Sequence, residues 1–272
     1  MSETIVIKLG GAEGVQFEPI CKDVAALIEQ GKRVVLVHGG SNEANLLGEA
    51  VGSPPKFITS PSGYTSRYTN LETMEIFCMA LNGKINTFLV QALQKMGINA
   101  FGLCGLDGRL IQAKRKGAIK SIENGKIRLI RDDYTGKIDN INTDILNTLL
   151  DMNYVPVVAP IAISHESDAL NVDADRAAAM IAAALQADQL LLLTAVPGIM
   201  KNFPDPSSLI EKVAYVEIEN VLNLVEGRMK KKVLGAQEAL DGGVGQVIIA
   251  DGSTLDAPVI NAIAGHGTSF TK

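Results

Sequence analysis

Hydrophobic and polar positions along the chain form blocks that alternate between two periodicities. Short aliphatic runs, typical of strands buried on both faces of a sheet, occur at 5–7, 33–38, 98–104, 155–160, 189–194 and 247–250. Apolar residues at helical spacing predict helices at 18–30, 42–50, 71–96, 143–152, 176–186 and 255–264, with a further helix beginning near 227. This alternation predicts an α/β fold built on a mainly parallel open sheet.

Glycine-rich turns follow the first two predicted strands. Lys8 ends the first strand just before Gly10 and Gly11, and Gly39 and Gly40 end the second. Glycine lets the backbone approach an anion closely and point N–H groups at it. Lys8 is therefore a candidate phosphate ligand, although a solvated lysine before a turn gives the same pattern. Neither the P-loop nor the dinucleotide-binding pattern occurs in the chain.

Composition narrows the class of protein. With 272 residues, 47% of them hydrophobic and 20% charged, the chain is typical of a soluble globular protein. No apolar run approaches the roughly 18 residues that a membrane span needs, and we expect neither a signal peptide nor a membrane association. The three cysteines are widely spaced, which favours free thiols in the cytoplasm. The three histidines are isolated, so neither a histidine cluster nor a protein-held metal is expected.

One segment has an uneven charge. Residues 109–131 contain eight Lys or Arg and one Glu, a net charge of +7 in a chain whose total is −5. The dipeptide Asn124–Gly125 predicts that this segment is a β-hairpin. A basic protrusion on an acidic body indicates an acidic macromolecular partner, and a solvated strand face is the alternative. Nucleic acid is disfavoured because the segment has no aromatic residue to stack on bases.

Three further features have both a chemical and an ordinary interpretation. Arg67 could hold a carboxylate or could simply be solvated. Asp173 and Asp175 begin a predicted helix, where acidic residues are favoured by capping alone. The lysine run 230–232 begins another helix, where it could face phosphates or water.

Motifs that occur in a fixed order make a family resemblance specific. They are Lys8-Leu-Gly-Gly11, His38-Gly-Gly40, Gly102-Leu-Cys-Gly-Leu-Asp-Gly108, Asn171-Val-Asp-Ala-Asp175, Val196-Pro-Gly198, Gly227-Arg-Met-Lys-Lys-Lys-Val233 and Gly265-His-Gly-Thr268. Together they resemble the amino-acid kinase family, and within it the N-acetylglutamate kinase group, over nearly the whole chain. The resemblance implies a three-layer αβα sandwich forming one domain over 1–272. It also implies an acceptor-binding and dimer-forming lobe at about 1–166 and an ATP-binding lobe at about 167–272.

The resemblance also implies a reaction and its catalytic residues. The family phosphorylates a side-chain carboxylate with ATP to give an acyl phosphate, which needs positioning and positive charge rather than a general base. By resemblance, Lys8 and Lys232 would stabilise the transition state from two sides. Asp175 would orient both lysines and keep them charged.

Binding residues follow from the same resemblance. Gly39 and Gly40 would bind the reacting carboxylate, while Arg67 and Asn171 would hold the main-chain end of the acceptor. The residues implied for the nucleotide are Lys8, Gly10, Gly11, Thr194, Gly198 and Lys232. Mg²⁺ would be held mainly by the phosphates of ATP.

Departures from the usual pattern bear on the substrate. Ser41 follows Gly40 where acetylglutamate kinases have Gly-Pro, and 63–67 reads Gly-Tyr-Thr-Ser-Arg where they have Gly-x-Arg. At both places the chain resembles the branch of the family that acts on 2-aminoadipate or glutamate attached to a small acidic amino-group carrier protein. That branch belongs to lysine and sometimes arginine biosynthesis. Ala195 stands where many relatives have aspartate, which puts a nucleotide role there in doubt. The alternatives are a kinase for free N-acetylglutamate, and a non-catalytic relative, which the three catalytic residues disfavour.

Overall fold

The structure is a computed structural model that describes residues 2–10, 17–61, 63, 65–123, 126–253 and 256–272, with only the backbone of Glu123. Gly11 and the predicted Asn124–Gly125 turn therefore lie outside the described residues. The strands are β1 (Thr4–Leu9), β2 (Arg33–His38), β3 (Phe57–Thr59), β4 (Thr65–Arg67), β5 (Ala100–Cys104), β6 (Ile111–Arg115), β7 (Ile119–Glu123), β8 (Lys126–Ile130), β9 (Gly136–Ile141), β10 (Val155–Ala159), β11 (Ile161–Ile163), β12 (Ala169–Asn171), β13 (Gln189–Thr194), β14 (Lys212–Ala214), β15 (Gln246–Asp251) and β16 (Thr268–Thr271). The helices are α1 (Phe17–Glu29), α2 (Ser41–Ala50), α3 (Leu71–Cys78), α4 (Thr87–Lys95), α5 (Asp144–Asp151), α6 (Ala174–Ala184), α7 (Ile218–Leu224), α8 (Gly227–Asp241) and α9 (Pro258–Ile263).

Eight strands form one sheet with β1 near its centre. Their order is β14-β16-β15-β13-β1-β2-β10-β5, and neighbouring strands are parallel except for the antiparallel pair β15 and β16. All residues of β1 are buried, as expected for a strand covered on both faces. The predicted mainly parallel open sheet is confirmed.

Helices cover both faces of this sheet. Alternate residues of β1 and β2 point to opposite faces, so that Val6 and Val35 enter one hydrophobic core while Ile5 and Val34 enter the other. The first core is closed by residues of α5, α6, α7 and α8, and the second by residues of α1, α4 and α9. The predicted three-layer αβα sandwich is confirmed.

The longest helical segment contains a π-helical stretch. α3, the π-helical segment Met79–Asn86 and α4 follow one another without a break. In the described part of the chain, this helix, Leu71–Lys95, is long and apolar enough to cross a membrane by length and composition alone. It is also a core helix, because Met74 and Phe77 pack in one hydrophobic cluster and Leu89 and Leu93 in another.

The basic segment 109–131 is only partly the predicted hairpin. β7 and β8 pair as an antiparallel hairpin, whereas β6 pairs with β9 in a separate sheet of order β12-β11-β6-β9. The reason is hydrophobic burial, since Ile111 and Ala113 of β6 enter the large core and cannot also lie on an exposed hairpin. The turn-rich segment before α3 also contains a short antiparallel ribbon, β3 and β4.

The division into two lobes stays a prediction. The large sheet is continuous through both predicted lobes, since β1 pairs with β2 on one side and with β13 on the other. The three cysteines are free, in agreement with the sequence expectation.

Candidate functional site

The candidate site lies where parallel strands end side by side. Lys8 of β1 is in register with Val37 of β2 and with Leu192 of β13, so the turns after these strands meet at one edge. In open α/β sheets, ligands bind in the crevice outside the carboxyl ends of the strands. The structure therefore brings the end of β1 with Gly10, the glycine turn after β2 and the end of β13 to one edge of the sheet.

A buried ion cluster occupies the centre of this edge. Lys8 Nζ lies 2.8 Å from Asp175 Oδ1, and Lys232 Nζ lies 3.0 Å from Oδ1 and 2.8 Å from Oδ2 of the same carboxylate. All three side chains are buried. One carboxylate thus binds two ammonium groups that belong to residues 224 positions apart (8 and 232). The structure brings together the three residues predicted to be catalytic.

The charges of the cluster depend on one another. Burial acts to raise the pKa of Asp175, but the charges of Lys8 and Lys232 and their hydrogen bonds outweigh it and lower the pKa to about 2. Burial and the charge of Lys8 lower the pKa of Lys232, and the charge of Asp175 opposes this shift. Two ammonium groups around one carboxylate leave a net charge of about +1. Such a cluster favours an additional anion beside it.

Two helices hold Asp175 and Lys232 in contact. Asp173 caps α6 by accepting hydrogen bonds from the N–H groups of Asp175 and Arg176, at 3.0 and 3.2 Å. Arg176 in turn makes a two-pronged ion pair with Glu238 of α8, at 3.0 and 2.5 Å. Capping is thus the role of Asp173, whereas Asp175 faces the cluster.

The three consecutive lysines at the start of α8 point in different directions because of the helical geometry. Lys230 is exposed, Lys231 is half-buried and Lys232 points inward to Asp175. Successive helix positions are about 100° apart, so three consecutive residues cannot share a face. The solvated interpretation therefore holds for Lys230, while Lys232 lies in the ion cluster and its role toward phosphates stays a prediction.

The turn after β2 leads directly into α2. Gly39 N–H donates to Leu9 O at 2.9 Å, which joins this turn to the last residue of β1. Gly40 is the N-cap of α2 and provides no side-chain cap, so the first N–H groups of α2 lack a capping acceptor. These N–H groups suit a carboxylate or phosphate oxygen.

Arg67 lies beside the same helix. Its guanidinium stacks between the rings of Phe57 and Phe77, 5.2 and 5.0 Å from their centroids, and donates to Asn45 Oδ1 of α2. Its Nη2 is also 3.5 Å from Ser41 O in the first turn of α2. Arg67 is therefore partly enclosed rather than freely solvated, and burial lowers its pKa.

Asn171 is tied to the segment that carries Arg67. Its side chain donates to Thr69 Oγ1 at 3.1 Å, and its N–H donates to Tyr134 O at 2.8 Å. The buried carboxylate of Asp133 accepts from Thr69 N–H at 2.9 Å and from Thr135 N–H at 2.8 Å. The segment after β8 thus frames the two residues predicted to hold the acceptor.

Of the residues predicted to bind the nucleotide, Lys8 and Lys232 lie in the cluster, and Thr194 belongs to β13, on the opposite side of β1 from β2. Thr194 is the last residue of β13 and is in register with Asp251 of β15. Gly198 has a φ of +155°, and a Cβ there would lie 2.6 Å from Thr268 Oγ1. Gly10 directly follows β1, while Gly11 is outside the described residues. In the described ranges, no group of three or more His, Cys, Asp or Glu could hold a metal ion.

Sequence reasoning did not identify His38, Asn86 and Asp133 as buried residues that support the site. His38 was named as an isolated histidine and as part of the motif His38-Gly-Gly40, but no role was predicted for its side chain. Asn86 and Asp133 lie in segments without any motif, and only the fold reveals their contacts.

Comparisons with known proteins find relatives over nearly the whole chain. The [LysW]-aminoadipate kinase of Deinococcus radiodurans is 49% identical over 264 residues, which cover 97% of this chain and 90% of that protein. The corresponding protein of Thermus thermophilus is 46% identical over 266 residues, covering 97% of this chain and 98% of that protein. Among solved structures, smu.665 from Streptococcus mutans superposes with a TM-score of 0.78 at 26% identity, covering 100% of this chain and 99% of the other. The profile of the amino acid kinase family matches residues 3–251, and the chain belongs to that family.

Proposed function

We propose that this protein transfers the γ-phosphoryl group of ATP to the side-chain carboxylate of 2-aminoadipate or glutamate that is linked to a small acidic amino-group carrier protein. The product is an acyl phosphate of lysine biosynthesis, or of arginine biosynthesis where the acceptor is glutamate. The observation that carries the proposal is the buried carboxylate of Asp175 between the ammonium groups of Lys8 and Lys232. The names of the relatives that are 46% and 49% identical support the carrier-linked acceptor.

The chemistry follows from the charges at the strand ends. The acceptor carboxylate is ionised at pH 7, so its oxygen can attack the γ-phosphorus without a general base. A bond forms between this oxygen and phosphorus, the bond from phosphorus to the β–γ bridging oxygen breaks, and ADP leaves with the electron pair. The ammonium groups of Lys8 and Lys232 offset the negative charge on the transferring group. Asp175 holds both ammonium groups in place.

The remaining predicted residues divide between the two substrates. Gly40 and the first N–H groups of α2 bind the reacting carboxylate, while Gly39 joins the two turns. Arg67 and Asn171 bind the main-chain end of the acceptor. Gly10, Gly11, Thr194 and Gly198 surround the nucleotide. Mg²⁺ is held mainly by the ATP phosphates and offsets part of their charge.

We propose the hairpin β7–β8 as the docking surface for the carrier. Ile122, Ile127 and Leu129 lie on one face of it and are 42%, 62% and 55% exposed. The exposed Lys120 lies on the same face, directly opposite Leu129, whereas the exposed Lys126 lies at the end of the hairpin on the other face. An apolar centre with a charged rim is the usual anatomy of a protein interface.

Two cations of the basic segment make contacts within the protein. Arg115 stacks on the ring of Tyr134 at 3.8 Å and donates to Asp133 O at 2.9 Å. Arg109 donates to Ser164 O at 3.0 Å. These two arginines are therefore less available to an acidic partner than the exposed hairpin lysines.

We further propose a homodimer formed through the edge strand β5. Phe101 of β5 is exposed at this edge, and Met79 and Phe88 are exposed on the helix that packs against it. An uncovered apolar edge of this kind is typical of an interaction surface.

The reaction is tested first by trapping the acyl phosphate with hydroxylamine. We expect turnover with carrier-linked aminoadipate or glutamate, little with free N-acetylglutamate, and a loss of about 10²–10³-fold in Lys8→Ala, the scale of losing one transition-state donor. Near-normal turnover of Lys8→Ala would refute the catalytic role. Efficient use of free N-acetylglutamate would make the protein an acetylglutamate kinase instead.

The lowered pKa of Lys232 predicts an alkaline limit. Its ammonium form is the active one, so kcat should fall as the pH rises through a value below the ordinary lysine pKa of about 10.4. Lys232→Arg should be slower but should lose this alkaline limb, because a guanidinium stays protonated. Lys230→Arg, at the exposed neighbour, should keep the wild-type profile. An unshifted limb in Lys232→Arg would argue against Lys232 as the titrating group.

Docking on the hairpin predicts two separable effects. The double change Lys120→Glu and Lys126→Glu should raise KM for the carrier-linked acceptor about tenfold at low salt and less at high salt, because screening weakens the attraction. Ile127→Ser should raise KM at both salt concentrations. The matched control is Lys212→Glu with Lys272→Glu, which are exposed positions in β14 and directly after β16, outside the hairpin. Equal effects of both double variants would exclude specific docking on the hairpin.

The dimer is tested by light scattering. The wild type should have twice the 28.9 kDa mass of the chain, and Phe101→Asp should shift it toward the monomer, since a charge at a buried contact is costly. Val216→Asp, at an exposed apolar residue far along the sheet, is the control and should stay dimeric. A monomeric wild type at micromolar concentration would contradict the proposal.

A further inference from the structure

The last residue of β2 is a buried histidine that the proposed chemistry does not use. His38 is 1% exposed and directly precedes the turn Gly39–Gly40. Its ring Nδ1 lies 2.9 Å from Gly39 O, and its Nε2 lies 3.2 Å from Asn86 Nδ2. Both ring nitrogens therefore have a partner inside the protein.

The partners fix the tautomer of the ring. A carbonyl oxygen only accepts, so Nδ1 must carry the proton that it donates to Gly39 O. Nε2 is then the acceptor for the side-chain amide of Asn86. The amide orientation is set independently, because Asn86 Nδ2 also donates to Val157 O at 2.8 Å. Burial lowers the pKa of His38 to about 4, which agrees with a neutral ring.

The hydrogen bond from the His38 ring to Gly39 O orients the next N–H group along the chain, that of Gly40. Gly39 C=O and Gly40 N–H belong to one planar trans peptide group, in which they point in opposite directions. The His38 ring holds the carbonyl toward the protein interior, so the Gly40 N–H points outward. The preceding peptide is fixed as well, because Gly39 N–H donates to Leu9 O. Both peptide groups of the turn are thus held by named partners.

The π-helical segment supports both residues of the turn. Asn86 is its last residue, and a Cβ on Gly40 would lie 2.6 Å from Leu81 Cδ1 and 2.7 Å from Ile85 Cδ1 of the same segment. A Cβ on Gly102 would lie 2.2 Å from Asn86 Oδ1, so the neighbouring strand also leaves space for this amide. π-Helical turns inside α-helices occur frequently at functional sites.

We infer that His38 and Asn86 are positioning residues that aim the Gly40 N–H at the acceptor carboxylate. The inference rests on the proposed function, in which this N–H binds the reacting group. Neither residue takes part in proton transfer. Their effect is to keep one hydrogen-bond donor fixed while the carboxylate oxygen approaches phosphorus, because small misplacements of reacting groups are costly in rate.

Two conservative substitutions at one position separate the two contacts. His38→Asn places an amide nitrogen near the Nδ1 position and can still donate to Gly39 O. His38→Gln places its amide near the Nε2 position, so it keeps a contact with Asn86 but loses the one with Gly39 O. With saturating ATP, kcat/KM for the acceptor should fall about 10- to 100-fold in His38→Gln, a smaller loss than removal of a transition-state donor causes. The loss in His38→Asn should be several-fold smaller than the loss in His38→Gln. KM for ATP and the shape of the pH profile between neutral and mildly alkaline pH should not change in either.

A matched pair in the π-helical segment tests the second residue. Asn86→Leu should lower kcat/KM for the acceptor with little change in KM for ATP. Asn82→Leu makes the same change in the same segment, where the side-chain oxygen has no partner in the described structure, and should leave the kinetics unchanged. Thermal unfolding identifies variants that do not fold. If Asn86→Leu does not fold, the two His38 variants decide the matter.

The inference is overturned if His38→Gln and His38→Asn are equally active. It is also overturned if the substitutions change KM for ATP instead of kcat/KM for the acceptor. A new acidic limb in either variant would also overturn it, since a positioning residue adds no titration to the reaction. Wild-type turnover is the baseline for every comparison. A wild type that phosphorylates none of the three acceptors would overturn the proposed function instead, so the two failures can be told apart.

Discussion

A carboxylate shared by two buried ammonium groups is the interaction on which the site depends. Burying each charge costs several kcal/mol, and only close contact with an opposite charge compensates that cost. Asp175 contacts Lys8 at 2.8 Å and Lys232 at 2.8 Å, so removal of the carboxylate would leave two like charges together. The fold must therefore bring β1, α6 and α8 to one point, and the Arg176–Glu238 ion pair holds the two helices there.

In the proposed reaction, the cluster allows one edge of the sheet to serve two anions. The acceptor carboxylate and the ATP phosphates repel each other, and in the proposed arrangement the net positive charge of the cluster lies between them. The proposed acceptor side consists of the start of α2, Arg67 and Asn171, and the proposed nucleotide side consists of the ends of β13 and β15. Asp133 ties the proposed acceptor side to the segment that follows the basic hairpin. The proposed docking surface and the proposed acceptor side thus belong to adjacent parts of one chain.

The sequence was sufficient for six of the eight strands of the large sheet, and the family resemblance supplied the three residues of the ion cluster. The strands that were not predicted, β14 and β16, are only three and four residues long. Buried parallel strands such as Arg33–His38 are continuous apolar runs, and glycine turns mark their ends, so the position of Lys8 could be predicted. The strands of the second sheet could not, because Ile111–Arg115 alternates like a hairpin strand and only burial of Ile111 and Ala113 assigns it elsewhere. Contacts such as His38 with Asn86 join residues 48 positions apart and leave no local signal. The same holds for Arg67, whose stacking on two phenylalanine rings depends on the ribbon β3–β4.

The placement of β1 at the centre of the sheet has a consequence for biosynthesis. The strand that carries Lys8 lacks one neighbour until β13 exists, and Thr4 N–H finds its acceptor only at Asp188. Lys232 follows Lys8 after roughly 10–45 s at ribosomal rates of about 5–20 residues per second. The nascent chain therefore has an unfinished sheet centre during this interval, and the cluster of Lys8, Asp175 and Lys232 can assemble only after residue 232 has left the ribosome. Contacts between residues so far apart in the sequence form late in folding.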